Sequence, residues 1–392
     1  MSTFDPKPPD PRIAELLSDY PDGVFSERLY QSVEWVDRYG LELTIHILRQ
    51  LDAVTPLRSL CSVNRLCRER DFNPRFRNAL GWLLERLADA GYLAINDEHS
   101  TRCYRLQGDL PTPDLATLKQ TGLALDPANA ATLDLLDAAA AVYPSVARGA
   151  SGAEALFGMS EIQRWLAYFS NDNPLYAVNN WVAAIAAADC VADNTSLRVL
   201  EIGAGACSGT EALLRTFAER GMTSRLERYL VTEPNPFFRR RGEKALKRNF
   251  PDLPLEFGTL DMDQSWEQQG AANGAFDLVY AVNVLHSAHD LLFTLAQARR
   301  SLAKGGRLVL GECLRPVAEQ PIYIELVFQI MDSFTEVVTD AEIRPQPGFL
   351  TPDCWRRALS RAEFTNVTIK PDPDRIRALY PRFFTGSIAA FG

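Results

Sequence analysis

The sequence is poor in features that mark membrane, secreted or metal-binding proteins. It contains nothing close to the ~18 to 20 unbroken apolar residues of a membrane-spanning helix, and its richest apolar run, residues 181–192, ends at charged residues. Its first residues, MSTFDPKPPDPR, are proline-rich and carry two acidic and two basic residues, unlike the basic and then apolar start of a signal peptide. We therefore expect residues 1–25 to form a disordered leader, and we expect a cytoplasmic protein without a membrane partner.

Cysteine, histidine and positive charge are sparse or dispersed. The seven cysteines include no CxxC pair, and neither they nor the four histidines cluster at metal-ligand spacing. We expect reduced thiols, no disulfide and no metal site. A net charge of -9 argues against nucleic acid as a partner, because phosphate binding needs a concentrated basic surface. The most basic run, FFRRRGEKALKR over residues 237–248, is interrupted by Glu243 and is typical of a solvated helix face.

The 392 residues are enough for two domains with separate cores. Over residues 26–110, several short helices precede ALGWLLERLADAGYLAINDEHSTRCYRL, in which a helix stops at Gly91 and two strand-like runs follow. This order predicts a mainly helical, winged-helix-like domain. In the quoted stretch, acidic residues slightly outnumber basic ones, which favours a dimer contact or a wall of the substrate site over DNA binding. Helices between residues 111 and 195 link this domain to the second half.

From residue 196 onward the sequence alternates between strands and helices. The strand-like runs are LRVLEI, ERYLVTE, LEFGTLD, FDLVYAV and RLVLGE, and FTNVTIKP and FFTGSIAAFG supply two more at the end. Such alternation predicts an α/β fold with a seven-stranded, Rossmann-like sheet that is mostly parallel, with the last strand inserted antiparallel.

A glycine-rich turn follows the first of these strands. In LEIGAGACSGTEALL, Gly203 and Gly205 let the backbone turn sharply before a helix. The dinucleotide-binding pattern GxGxxG is matched poorly, because its third position falls on Ser208. The alternative is a strand that ends in acid-x-G-x-G, where the backbone approaches the amino-acid end of S-adenosylmethionine. Glu201 then lies where a carboxylate can meet the ammonium group of that ligand.

Further candidate binding residues come at the ends of the next strands. Glu233 closes the second strand, where a carboxylate can accept both ribose hydroxyls. Asp261 closes the third strand, where a carboxylate can receive the adenine amino group. Met262 and Asn283, which follow the third and fourth strands, complete the expected S-adenosylmethionine-binding set. Each acid alone could be a helix cap or a surface residue, but successive strand ends share the edge where open α/β sheets bind ligands.

The fourth and fifth strands carry the candidate catalytic pair. His286 follows the fourth strand in YAVNVLHSAHDL, and Glu312 ends the fifth strand in RLVLGECLRP. Adjacent strand ends bring the two side chains together. A carboxylate bonded to one ring nitrogen fixes the tautomer of the imidazole and leaves the other nitrogen to remove a proton.

Several motifs together resemble class I S-adenosylmethionine-dependent methyltransferases. LEIGAG, LDMDQSWEQQG, FDLVYAVNVLHSAHDL, GGRLVLGECLRP and GFLTPDCWRRALSRAEF look like the methyltransferase domains of polyketide synthases, in that order. The winged-helix-like front is also similar to that of free-standing small-molecule O-methyltransferases, which dimerise through it. The resemblance implies S-adenosylmethionine as cofactor, a homodimer, His286 as base and Glu312 as the residue that orients it. Cys207 and Ser208 replace glycines of many relatives, and His289 matches no catalytic position.

The resemblance also suggests where the substrate pocket lies. The helices between residues 111 and 195 correspond to those that cover the cofactor in relatives. Tyr176 in this region is either a substrate or cofactor contact or a core residue. An insertion over residues 320–350 predicts either a helix packed on the sheet edge or a substrate lid, whose Phe328, Met331 and Phe334 line an apolar pocket.

These features predict an enzyme that methylates a small organic molecule of specialised metabolism. We expect transfer to oxygen, with His286 and Glu312 as the general base pair, because the front domain resembles that of stand-alone O-methyltransferases. One alternative is carbon methylation of a carrier-bound polyketide or acyl chain, with an acyl-carrier protein as partner. Sulfur methylation is another, and a winged-helix regulator that senses a ligand is the non-enzyme alternative.

Overall fold

The computed structural model describes residues 9–98, 101–193 and 195–392. These residues divide into two compact units. The first contains residues 27–168 and 317–336, and the second contains residues 9–26, 169–316 and 337–392. In the described ranges, no helix is long and apolar enough to cross a membrane. Residues 1–8 of the predicted leader lie outside the described part of the chain.

Residues 9–25, the described part of the predicted leader, contain one short helix followed by turns. Asp10 caps the helix α1 (Pro11–Leu16), because its Oδ1 accepts the Arg12 N–H at 2.9 Å. Pro11 stands at the start of the helix, where its missing N–H costs nothing. The ring of Phe25 lies 5.6 Å from that of Phe383. Capping and aromatic packing thus give this part of the predicted leader local contacts, and disorder of the leader stays a prediction.

Helices dominate the first unit. Its longest helix has 24 residues and one buried apolar face, which packs against three other helices of the unit. The helices are α2 (Glu27–Gln50), α3 (Val63–Glu69), α4 (Arg77–Asp89), α5 (Leu115–Leu125), α6 (Ala130–Val146), α7 (Gly152–Phe157), α8 (Ile162–Tyr168), α13 (Glu325–Phe328) and α14 (Asp332–Thr335).

The predicted helix and β-wing of the first unit are present. Gly91 follows α4 with a φ of +79°, a left-handed conformation that suits a helix end. Strands β2 (Leu93–Glu98) and β3 (Thr101–Leu106) then pair antiparallel, and the short β1 (Cys61–Ser62) pairs with the other side of β3. The resemblance of this arrangement to a winged helix stays a prediction.

The second unit is built on one seven-stranded sheet, which confirms the predicted fold class. The strands are β4 (Leu197–Ile202), β5 (Leu226–Thr232), β6 (Leu255–Gly258), β7 (Phe276–Val282), β8 (Leu302–Cys313), β9 (Thr365–Lys370) and β10 (Thr385–Phe391). Their order is β6-β5-β4-β7-β8-β10-β9. The first five pair in parallel, and β10 lies antiparallel between β8 and β9. The order reverses between β4 and β7, which is where open α/β sheets form a ligand crevice.

Helices cover both faces of this sheet. Alternate residues of a strand point to opposite faces, so one strand can contribute to two buried cores. Leu200 and Ile202 belong to one buried core, and Leu197 and Val199 belong to the other. The helices of the second unit, besides α1, are α9 (Pro174–Cys190), α10 (Ser208–Glu219), α11 (Pro236–Asn249), α12 (Leu291–Ser301), α15 (Pro352–Arg361) and α16 (Pro373–Leu379).

The two units do not coincide with the predicted domains. The predicted linker over residues 111–195 is divided after Tyr168, because α5 and α6 pack on α2 while α9 packs on β8, β10 and α10. The predicted lid over residues 320–350 is divided after Glu336. The packing of helices against each other depends on contacts between distant parts of the chain, and the sequence pattern alone does not specify those contacts.

Candidate active site

The glycine turn between β4 and α10 leaves open space at one of its glycines. Gly203 and Gly205 have φ values of +63° and +54°, in the left-handed region that glycine favours. A Cβ on Gly203 would lie 2.7 Å from Val284 Cγ1, so this glycine is needed for close packing. A Cβ on Gly205 would have no described atom within 4 Å. The turn therefore offers a ligand direct access to backbone at Gly205.

Cys207, in the glycine-rich turn, is accommodated by its neighbour Gly242. Its φ of 65° is left-handed, and its side chain is buried. A Cβ at Gly242 on α11 would overlap the Cys207 sulfur, so the glycine at 242 makes room for the thiol. Burial raises the pKa of this thiol. Cys207 is thus a packed, protonated residue, and Ser208 begins α10 directly after it.

Glu201 is buried beneath the turn. Its carboxylate accepts a 2.7 Å hydrogen bond from the Tyr229 hydroxyl, and its backbone oxygen accepts one of 2.6 Å from the Thr232 hydroxyl. Burial raises the pKa of Glu201 from 4.5 to about 7, against the lowering effect of the Tyr229 bond. A cationic group bound nearby would favour the ionised form. The predicted ammonium contact fits these properties and stays a prediction.

Glu233 lies one residue beyond the end of β5 and is fixed against the glycine turn. Its two carboxylate oxygens accept the Gly205 N–H at 2.8 Å and the Asn235 N–H at 2.7 Å. Each oxygen retains a lone pair that a hydroxyl can use. Burial raises the pKa of Glu233, while the two backbone bonds lower it. The carboxylate therefore sits beside the open space at Gly205, where the sequence predicts ribose hydroxyls.

Asp261 lies in an exposed loop and does not close the third strand as predicted. Strand β6 ends at Gly258, and the chain turns inward at Leu260, which is buried. The side chain of Gln269 holds the loop. Its Oε1 accepts the Asp261 N–H at 2.7 Å, and its Nε2 donates to the Asp261 carbonyl at 2.9 Å. Met262 packs partly against the core of the sheet. The adenine contacts of both residues stay predictions.

Asn283 joins the ends of the two strands that carry the catalytic candidates. Its Oδ1 accepts the Cys313 N–H at 2.9 Å, and its own N–H donates to the Gly311 carbonyl at 2.7 Å. Its φ of 53° lies in the left-handed region that asparagine tolerates better than most residues. Asn283 therefore holds the ends of β7 and β8 together. Its predicted contact with the cofactor stays a prediction.

His286 and Glu312 meet as the sequence predicts. His286 lies on a short turn after β7, and its Nδ1 is 2.7 Å from Glu312 Oε2 at the end of β8. The other oxygen of Glu312 accepts the Leu285 N–H at 3.1 Å. Both side chains are buried, and the ring of Phe349 lies 4.5 Å from the imidazole. A carboxyl group beside Nδ1 favours the tautomer in which Nδ1 carries the proton, which leaves Nε2 as the nitrogen that can accept one.

Sequence reasoning missed Arg344 and Phe349, which complete the surroundings of His286. Arg344 is 1% exposed and donates to the carbonyls of His286 at 2.9 Å and Ala288 at 2.7 Å. Burial lowers the pKa of Arg344 to about 10, so the guanidinium remains charged at neutral pH. Both residues belong to the segment before α15, which shows no helical or strand period. No sequence signal points from that segment to His286.

Two asparagines on α9 were also missed, although a signal existed. Asn179 and Asn180 interrupt an otherwise apolar helix and are buried. Asn180 Nδ2 donates to Asn171 Oδ1 at 2.8 Å, and Asn179 Nδ2 donates to Cys313 Sγ at 3.4 Å. An adjacent polar pair in a buried helix is costly without partners, so it indicates a polar environment.

Tyr176 lies near the start of α9, and its ring is 5.2 Å from that of Phe169. Burial raises the pKa of Tyr176, and a hydrogen bond with the Ser208 side chain opposes this. The tyrosine is thus in contact with the first residue of α10. Its predicted contact with substrate or cofactor stays a prediction.

The predicted lid residues belong to the first unit. Phe328 lies on α13, with its ring 6.1 Å from that of Trp165 and 5.5 Å from that of Phe334. Met331 and Phe334 are buried. The three side chains are therefore part of an apolar cluster of the first unit, and their function as a pocket wall stays a prediction.

The described residues place no group of three or more histidine, cysteine or acidic side chains to hold a metal ion. All seven cysteines are free thiols. His289, expected to be a loop histidine, is exposed and lies in the loop before α12, where its N–H donates to Asp263 at 2.9 Å.

Comparison with known proteins finds a methyltransferase domain in part of the chain and a shared fold over nearly all of it. Residues 200–308 match a family model described as a methyltransferase domain. The structure of the CurJ carbon methyltransferase has a TM-score of 0.78 with this chain at 23% identity, and covers 97% of this chain and 96% of that one. The DszA carbon methyltransferase has a TM-score of 0.74 at 21% identity, with coverage of 99% and 97%. At these identities, the two structures establish a shared fold.

Curated relatives match over shorter stretches. Highly reducing polyketide synthase 2 of Gibberella zeae is 38% identical over 131 residues, 32% of this chain and 5% of that protein. Highly reducing polyketide synthase easB of Emericella nidulans is 29% identical over 200 residues, 50% of this chain and 7% of that protein. The matched stretches thus cover well under a tenth of these relatives.

Proposed function

We propose that this chain, whose residues 200–308 match a methyltransferase domain, is an S-adenosylmethionine-dependent methyltransferase that transfers the methyl group to an activated carbon of a carrier-bound acyl chain. The carbon methyltransferase structures and the polyketide synthase relatives support this choice of acceptor. It replaces the oxygen acceptor that the front domain suggested.

The residues at the glycine turn fit the cofactor. Gly205 offers the space that a Cβ would fill, and the Glu233 carboxylate beside it would accept the ribose hydroxyls. Glu201 would hold the ammonium group, directly or through water. When bound, S-adenosylmethionine supplies an electrophilic methyl group on a sulfonium.

The observation that carries the proposal of a base-catalysed methyl transfer is the buried bond between His286 and Glu312. A carbon between two carbonyl groups becomes a nucleophile only when it loses a proton, and Nε2 of His286 would accept that proton. Glu312 holds the imidazole in the required tautomer and stabilises the imidazolium that forms. Phe349 against the ring limits access of water to the pair.

A hydroxyl acceptor would need the same base, so oxygen methylation of a free small molecule is the second candidate. A thioether acceptor would need no base, and the buried pair therefore does not favour it. For the carbon acceptor, the partner would be an acyl-carrier protein that presents the substrate. We further propose a cytoplasmic enzyme that acts as a homodimer.

The experiment is a search for labelled products. The protein is incubated with deuteromethyl S-adenosylmethionine and an extract of its host, and both free metabolites and carrier-bound acyl groups are analysed by mass spectrometry. Label on carrier-bound chains supports the proposal. Label on free metabolites only, with the methyl group on oxygen, would replace it by the second candidate.

A further inference from the structure

Arg344 is bonded to the loop that carries the proposed base. This loop, residues 283–290, joins β7 to α12. The two terminal nitrogens of Arg344 donate to the carbonyls of His286 and Ala288, at 2.9 Å and 2.7 Å. Two parallel bonds from one planar guanidinium fix both the position and the direction of the peptide groups that they reach. Arg344 therefore constrains the backbone on which the imidazole stands.

Arg344 is itself held in place, because its backbone closes a turn with Asp340. Asp340 and Arg344 exchange two backbone hydrogen bonds, each 2.9 Å long. Asp340 Oδ1 accepts the Glu342 N–H at 2.8 Å, and Asp340 Oδ2 accepts a 2.8 Å bond from Arg361 on α15. Just before the turn, the Val338 N–H donates to the His289 carbonyl at 2.8 Å. The segment is thus tied to a helix on one side and to the catalytic loop on the other.

The charge of Arg344 lies among acidic groups near the base. Glu312, Asp290 and Asp263 interact with it electrostatically. Its hydrogen bonds nevertheless go to backbone carbonyls, and its Nε has no partner among the described residues. A buried cation is costly unless it is well bonded. Its position next to the catalytic loop therefore calls for a function beyond packing.

We propose that Arg344 is a positioning residue, which holds the His286 loop so that Nε2 meets the substrate proton. The proposal rests on the proposed function, because it takes His286 as the base. Loss of the two bonds would let the loop shift, and small misplacements of a catalytic group cost turnover strongly. The cofactor site at Gly205 and Glu233 has no bond to Arg344 and should be unaffected.

The first test compares turnover with binding in Arg344→Met and Arg344→Lys. We expect Arg344→Met to lower kcat by about 10- to 100-fold, with KM for the acyl substrate and Kd for S-adenosylhomocysteine within about 3-fold of wild type. Arg344→Lys should recover part of the loss, because its ammonium can still donate to the carbonyls. The matched control is Arg357→Met, which removes an exposed arginine that donates to the Glu342 carbonyl of the same turn. It should leave kcat unchanged.

The second test is a double-mutant cycle with His286→Ala, measured in single turnovers. If Arg344 acts through His286, Arg344→Met should lower the residual rate of the His286→Ala enzyme by less than about 2-fold. A loss as large as in the wild-type background, or a kcat of Arg344→Met within about 3-fold of wild type, would overturn the inference. If His286→Ala alone keeps its turnover within a few-fold, the proposed base is wrong and the inference falls with it.

The stability of the variants is checked by thermal unfolding. If Arg344→Met gives no cooperative transition, Arg344→Gln takes its place under the same criteria, because glutamine is neutral and its side chain ends where the arginine Nε would lie, too short to reach the two carbonyls. A folded Gln variant with unchanged kcat would overturn the inference equally.

Discussion

Replacing Glu201 by glutamine should change how the stability of the protein depends on pH. Glu201 is 2% exposed, and its pKa rises from 4.5 to about 7, chiefly through burial. A carboxyl whose pKa is higher in the folded state binds more protons when folded. The folded state therefore loses stability as the pH rises from about 4.5 to about 7, and the loss is complete above that window.

The size of the effect follows from the two pKa values. A difference of about 2.5 pKa units corresponds to about 3 kcal/mol of free energy of unfolding. Glutamine does not titrate, has nearly the same shape, and can still accept the Tyr229 hydroxyl. At pH 8 the variant should be more stable than wild type by about 3 kcal/mol. At pH 5 the part of this stability difference that depends on pH should be only about 1 kcal/mol.

The assay is urea unfolding followed by tryptophan fluorescence between pH 5 and pH 8. Other titrating groups cancel in the difference between wild type and variant, so only the change of the gap with pH matters. Glu211→Gln, which removes a carboxylate paired with Arg215 on the surface of α10, is the control. A gap that stays constant within about 1 kcal/mol over this range would refute the reasoning.

Three further predictions concern the turn and its surroundings. Glu233→Ala should weaken S-adenosylhomocysteine binding by about 10-fold or more, measured by calorimetry, because charged hydrogen bonds to hydroxyls are lost; an unchanged Kd would remove Glu233 from the ribose site. Gly205→Ala should weaken the same binding by about 10-fold or more, because its Cβ fills the open space and its φ of +54° disfavours alanine. Tight binding by this variant would show that the ligand lies elsewhere. Tyr280→Phe should raise the free energy of unfolding by about 1 kcal/mol, because the buried hydroxyl has no partner among the described residues; a destabilised variant in urea unfolding would contradict this.

The sheet and most of the candidate site could be predicted because both depend on local patterns. Strands β4, β5, β7 and β8 each contain a buried apolar run, and parallel strands place their ends at one edge. His286 and Glu312 follow adjacent strands, so their meeting required only the strand order. Glu201 and Glu233 were predicted for the same reason.

The remainder depends on contacts between distant segments. Arg344 and Phe349 reach His286 from a segment without period, about 60 residues further along the chain, so no spacing rule could find them. Asp261 was placed at a strand end because Leu260 extends the apolar pattern, whereas Leu260 turns into the core. The boundaries of the two units depend on which helices pack together. Helices of similar composition belong to different units, so composition does not locate these boundaries.

The most direct test of the central claim locates the transferred methyl group. The enzyme is given ¹³C-methyl S-adenosylmethionine and a synthetic β-ketoacyl pantetheine thioester, and the product is analysed by carbon NMR. Wild type should place the label on the carbon between the two carbonyl groups, while His286→Ala should form this product at least about 100-fold more slowly. A label on oxygen, or equal product from His286→Ala, would contradict carbon methylation with His286 as the base.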